Sequence, residues 1–146
     1  MTTTTTTQQS VVPFIGRILI GIVFLLSGLS KLAAAQATQG FIASVGLPLP
    51  VLGYIVAVTV EVGGGLMLLL GYRTRTAALV LSVFTVATAV FFHHDFADQN
   101  QFIHFMKNIA MTGGLLQVVA FGAGAYSLDR RRVALPARSL QSRPSA

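Results

Sequence analysis

Four apolar runs, each close to the length that crosses a bilayer, leave this chain few folds to choose from. They cover about residues 11–35, 49–70, 77–92 and 102–125. A transmembrane helix needs about 20 predominantly apolar residues. In lipid a helix is also the simplest segment that satisfies all its own backbone N–H and C=O groups. The third run is the shortest and has to borrow flanking residues. Composition closes the soluble alternative, because only 10% of the 146 residues are charged and 53% are hydrophobic, whereas a soluble domain is about 25% charged. The chain therefore reads as all-α, an integral membrane four-helix bundle.

Three regions follow. Residues 1–10, with threonine from Thr2 to Thr7 and then Gln8, Gln9 and Ser10, have no material for a core and are expected to be disordered. Residues 11–128 form the four-span domain, and residues 129–146 a basic tail. The stretch LAAAQA at 32–37 imitates a signal-peptide cleavage site, but residues 1–10 hold no Lys or Arg, so the first run is expected to stay as a membrane span. The segment from 36 to 50, apolar and broken by Gly and Pro, reads as an interfacial or re-entrant piece on the far side.

Basic residues set the direction of insertion. With four spans, Arg17, Arg73, Arg75, Arg130, Arg131, Arg132, Arg138 and Arg143 share one side, and only Lys31 and Lys107 belong to the other. That bias puts both termini in the cytoplasm and makes the protein a multi-pass inner (plasma) membrane protein. It also accounts for the net charge of +6 without nucleic acid, so the lipid bilayer is the expected partner. With no cysteine, disulfides, thiolate metal sites and cysteine nucleophiles are excluded, and with no tryptophan any aromatic belt comes from Phe and Tyr.

Charges inside the spans are costly and tend to pair. Gly53, Ala57, Glu61 and Gly65 step by four along the second span, a small-residue stripe with a carboxylate in its middle. Arg17, Gly21, Gly28 and Lys31 share a face of the first. Ser82, Thr85 and Ala89 lead toward His93 in the third, and His104, Asn108 and Thr112 step by four in the fourth, beside Lys107. A bundle that turns these stripes inward brings Lys31, Glu61, His93 and Asn108 toward one cavity in the outer half. Lys31 and Glu61 form the natural ion pair. It reads either as part of a polar site that binds or relays a proton, or as a packing clamp that sets helix register.

His93, His94, Asp95, Asp98 and His104 make a short His/Asp-rich patch. Two adjacent histidines on a regular helix cannot both turn to one metal, so no metal site is expected. A histidine hydrogen-bonded to the Glu61 region suits a group that titrates near neutrality. Lys107 reads as a snorkelling helix-end residue or a substrate contact. Gly63-Gly64-Gly65 reads as a close helix contact, since no strand precedes it. Asp129 beside three arginines reads as a surface pair of little weight.

These residues together resemble the DoxX family of small bacterial membrane proteins, over about residues 14–129. GRILIGIVFLLSGLSKL (16–32) resembles its first helix, with a G-x-x-K-L signature at Gly28–Leu32. VEVGGGLMLLLGYRTR (60–75) resembles its second-helix motif: a Glu, then glycines, then a G-x-x-x-R turn. The paired histidines and the closing GAGAYSLDR also fit. The resemblance implies a four-helix membrane bundle and places Lys31, Glu61, Arg75, His93 and Asn108 on polar motif positions, with His94, His104 and Lys107 beside them.

The family name derives from a relative associated with a terminal quinol oxidase, and the related DoxD type is associated with thiosulfate:quinone oxidoreductase. The resemblance therefore implies a subunit or accessory factor of a quinone-linked oxidoreductase system. Quinone is the one cofactor it implies, and a redox-enzyme subunit or a second copy of the chain are the partners it leaves open. No haem-ligand pattern, flavin motif or cysteine supports independent redox chemistry, so at most a non-catalytic or quinone-binding subunit is expected. The competing readings are a small proton-coupled transporter and a scaffold without chemistry. Against the transporter, the membrane carboxylate lies in the second span rather than the first, and no Trp supplies an aromatic substrate cage.

Overall fold

The computed structural model describes the backbone of residues 3–133 and the side chains of residues 11–131. Most of the tail read as basic and cytoplasmic, Arg138 and Arg143 included, lies outside the described residues. Among those described, all regular structure is helical: α1 (Thr3–Ala33), α2 (Ala35–Ser44), α3 (Pro50–Leu70), α4 (Thr74–Phe92), α5 (Gln99–Phe121) and α6 (Leu128–Val133). The first turns of α1 take in the Thr-rich stretch read from composition as structureless.

Local chemistry sets the helix ends. Pro50 opens α3, where its missing N–H is no loss. Gly71 closes α3 in the left-handed region, at φ 67°, donating its N–H to Leu68 and Met67 carbonyls. Asp98 caps α5: its Oδ1 accepts from the backbone N–H of Asn100 at 2.7 Å and of Gln101 at 3.2 Å. This cap starts the helix three residues before the apolar run does. Gly122, at φ 79°, ends it.

The long helices pack in a ring: α1 touches α3 and α5, and α4 touches the same two. Phe24, Leu68, Ala77, Ala78, Leu81 and Leu115 make its buried centre. The α1–α3 seam depends on glycine. A Cβ on Gly65 would stand 2.9 Å from the backbone N of Leu25, and one on Gly28 would stand 2.6 Å from a Val62 methyl. Gly64 serves the α3–α4 seam in the same way, 2.8 Å from Leu81. Two of the three consecutive glycines are thus close helix contacts, while Gly63 faces open space.

Outward faces are apolar, with Leu19, Leu26, Val83 and Phe121 all more than half exposed. Among the described residues three helices are long and apolar enough to cross a membrane: the Val11–Ala33 part of α1, then α3 and α4. Helix α5, at 23 residues, is also long, but its first half carries His104, Lys107 and Asn108.

The segment expected to be interfacial or re-entrant is largely helix. After a single-residue break at Ala34 (φ −122°, ψ 47°), α2 turns away from α1 and packs on α3, with Ile42 buried against Gly53. Apolar residues on one face of α2 have a partner there, which is why a stretch with a broken pattern still folds.

Candidate functional site

At mid-helix in α3, Glu61 is held by two residues of α1. Lys31 Nζ donates to Glu61 Oε1 at 3.0 Å and to Ser27 Oγ at 2.8 Å. Ser27 Oγ in turn donates to the same Oε1 at 3.2 Å. The second carboxylate oxygen, Oε2, lies 2.8 Å from the ammonium, an ion-pair contact without hydrogen-bond alignment. Ser27 and Lys31 are one turn apart on α1, so a single helix face offers both groups to the carboxylate. The Glu61 side chain is 7% exposed and that of Lys31 is 27% exposed. The ammonium is thus the reachable member of the pair.

Beside this pair lies a cavity of about 370 Å³. Phe41, Phe84, Phe91 and Phe92 give it phenyl walls, and Phe41 of α2 stacks on Phe92 with ring centroids 5.3 Å apart. Ser27, Lys31, Glu61, His93 and Asn108 are the main polar lining groups. All four principal candidates read from the sequence therefore border one space. Ser27 escaped that reading although its position one turn before Lys31 was available. The α2 contribution, Thr38 and Phe41, could not be read because a broken pattern does not reveal its partner.

His93 closes α4 and stacks on His104 of α5, with ring centroids 5.0 Å apart and planes 21° from parallel. Burial, and then the neighbouring His104, push the His93 imidazole below its ordinary pKa of about 6.5. The histidine hydrogen bond expected at Glu61 is not made among the described residues. Glu61 takes its hydrogen bonds from Ser27 and Lys31 of α1, both at Oε1, and His93 turns to its own kind across the α4–α5 junction. His94 and Lys107 are exposed and do not line the cavity, and His104 reaches it only through His93. Arg75 stands at the opposite end of the ring, where its guanidinium donates to the Ala120 carbonyl at 3.3 Å. Among the described residues no group of three His, Cys, Asp or Glu converges as a metal site would require.

The opposite end is a latch. Arg17 is 1% exposed, and its guanidinium donates to the carbonyls of Ala123 at 2.6 Å and Tyr126 at 2.7 Å. Phe14 lies under it, the ring centroid 5.4 Å away. Asp129 accepts from the backbone N–H groups of Arg73 at 2.7 Å and Thr74 at 2.9 Å, and from the Thr74 hydroxyl at 2.8 Å. Asp129, read from the sequence as a surface pair of little weight, has a further part here: it caps the N-terminus of α4, where the helix dipole and free N–H groups favour a carboxylate. The GAGAYSLDR segment thus ties the end of the chain's helical ring to α1 and α4.

A ring of long helices with apolar outward faces and a buried carboxylate at mid-helix defines a small helical membrane protein. The DoxX family model matches residues 12–94, more than half of the chain. The chain is 39% identical over 118 residues to the inner membrane protein YqjF of Escherichia coli (strain K12), covering 80% of this chain and 88% of that one. It is 36% identical over 129 residues to YphA, another inner membrane protein of that strain, covering 84% and 91%. A shorter likeness, 30% over 74 residues and about half of each chain, joins it to a Bacillus subtilis (strain 168) protein named "Putative oxidoreductase CatD". No solved structure matches significantly. This chain belongs to the DoxX family and is an inner membrane protein.

Proposed function

We propose that the cavity beside Glu61 binds the ring of a quinone, and that the protein is a non-catalytic, quinone-binding subunit or accessory factor of a membrane oxidoreductase system. The observation that carries this reading is the combination at one place of phenyl walls and an internally balanced ion pair whose carboxylate is buried and whose ammonium is reachable. Small-molecule sites are mostly apolar concavities of about 300–1,000 Å³ with a few convergent polar groups. An amphipathic ring with oxygen at its edges suits such walls and such an edge. In a membrane a carboxylate at mid-helix, here paired with an ammonium from the last turn of α1, is a functional feature by default. The oxidoreductase in the name of the B. subtilis relative leans the same way.

In this reading α1, α3, α4 and α5 all cross the inner membrane, with N- and C-termini cytoplasmic. The basic latch around Arg17, Arg73 and Arg75 then lies inside and the Lys31–Glu61 cavity in the outer half. Helix α5 crosses with its polar first half turned to the cavity and the interface.

The test is the quinone content of the detergent-purified protein, wild type beside Ala57→Phe, which fills the cavity from its wall. Quinone that co-purifies with the wild type and is lost from the folded variant supports the reading. A wild-type protein that is folded, empty and unresponsive to added quinone overturns it, and makes proton-coupled flux in vesicles the next measurement.

A further inference from the structure

The state of the ion pair says more about the ligand than the size of the cavity does. Lys31 has three N–H donors; Ser27 and Glu61 Oε1 take two. Glu61 Oε2 lies 2.8 Å from the ammonium as well, and Lys31 lines the cavity with part of its side chain exposed. The ammonium is also the exposed partner, whereas the carboxylate is almost fully covered. A ligand therefore meets a donor, not an acceptor. Asn108, on the lining from α5, adds a side-chain amide that no described residue engages. Of the lining residues only Lys31 and Glu61 carry full charges, and they cancel.

Resting on the ring-binding cavity proposed above, we infer that Lys31 holds a neutral ligand through a carbonyl oxygen, and that Glu61, supported by Ser27, is the positioning residue whose charge excludes anionic ring compounds. A carbonyl gives up little hydration on entering and gains a charge-assisted hydrogen bond. A carboxylate gives up much more, and its attraction to Lys31 is offset by repulsion from Glu61 a few ångströms away. The site thus discriminates by charge, and it favours the oxidised, diketone form of a ring over an acid of the same shape.

The test compares two bicyclic probes of similar size, menadione and a naphthoate, by equilibrium dialysis against the full-length protein in detergent, with empty micelles as the blank. The chain has no cysteine, so menadione forms no thiol adduct that would obscure the result. Wild type is expected to bind menadione at least about tenfold more tightly than naphthoate, and Glu61→Gln to move that ratio by about tenfold or more toward naphthoate, because the ammonium then lacks its counter-charge. An unchanged ratio in folded Glu61→Gln overturns the inference. Equal wild-type affinity for the two probes also overturns it while leaving a ring-binding cavity in place. Binding of neither probe removes the cavity reading and the inference together. If Glu61→Gln does not fold, Lys31→Gln decides: about a tenfold loss of menadione supports Lys31 as the anchor, and wild-type affinity for menadione refutes it.

Discussion

Asp129 shows how much a single polar side chain can do at a helix junction. It satisfies two backbone donors and a hydroxyl at the start of α4. Replacing a capping carboxylate by alanine costs about 0.5–2 kcal/mol. Asp129→Ala is expected to lower the melting temperature in detergent, and Asp129→Asn to recover part of the loss. The glycines offer a sharper contrast within three positions. Gly65→Ala drives a methyl into the α1 backbone, and overpacking of this kind costs about 1–3 kcal/mol. Gly63→Ala meets nothing and gains helix propensity, so it is expected to be neutral or stabilising. Melting curves for the two variants side by side check the seam; equal effects would refute it.

At the scale of elements, the α4–α5 junction carries the pH dependence. Because burial and His104 lower the pKa of His93, the folded protein resists protonating it while the unfolded chain protonates near pH 6.5. Stability is therefore full above about pH 6.5 and is lost as the pH falls through the lowered folded value. His93→Gln is expected to flatten the fall in melting temperature between neutral and mildly acidic buffer; an identical slope would exclude His93 as its source. Helix α2 is the other element with a distinct part. It forms the cavity wall through Thr38, Phe41 and Ile42, and Phe41→Ala removes the stack on Phe92. That variant is expected to weaken ring binding while the latch at the other end keeps the bundle assembled.

For the whole molecule the two ends of the ring differ in kind. One end is a closed latch, with Arg17 buried on carbonyls of the segment after α5. The other end holds the cavity and the histidine stack. Arg17→Lys keeps the charge but loses the planar fork that reaches two carbonyls at once. It is expected to destabilise the bundle without changing the probe ratio set by Lys31 and Glu61. The proposed topology is checked by reporter fusions. A reporter active only outside the cytoplasm is expected to be active in the 93–98 loop and silent after residue 133. Activity at both positions would mean that α5 does not cross.

The amino-acid sequence by itself determined the helical class, the membrane setting, the family and the principal polar positions around the cavity. Each of those depends on something periodic or locally costly: apolar runs of bilayer length, small residues every fourth position, charges that lipid does not tolerate unpaired. Lys31, Glu61, His93 and Asn108 stood out because each is polar within or at the edge of an apolar run. What only the tertiary structure decided depends on partners far along the chain. Ser27 looks like any small helix residue until α3 brings Glu61 to it. Residues 36–50 lack a clean period because within them Ile42 alone is buried, against Gly53 of α3, and one buried position makes no pattern. Asp129 and Arg17 read as surface and orientation charges because many of their contacts, the N–H groups at the start of α4 and the carbonyls after α5, are with backbone atoms. Backbone groups belong to every residue, so no side-chain pattern in the sequence announces them.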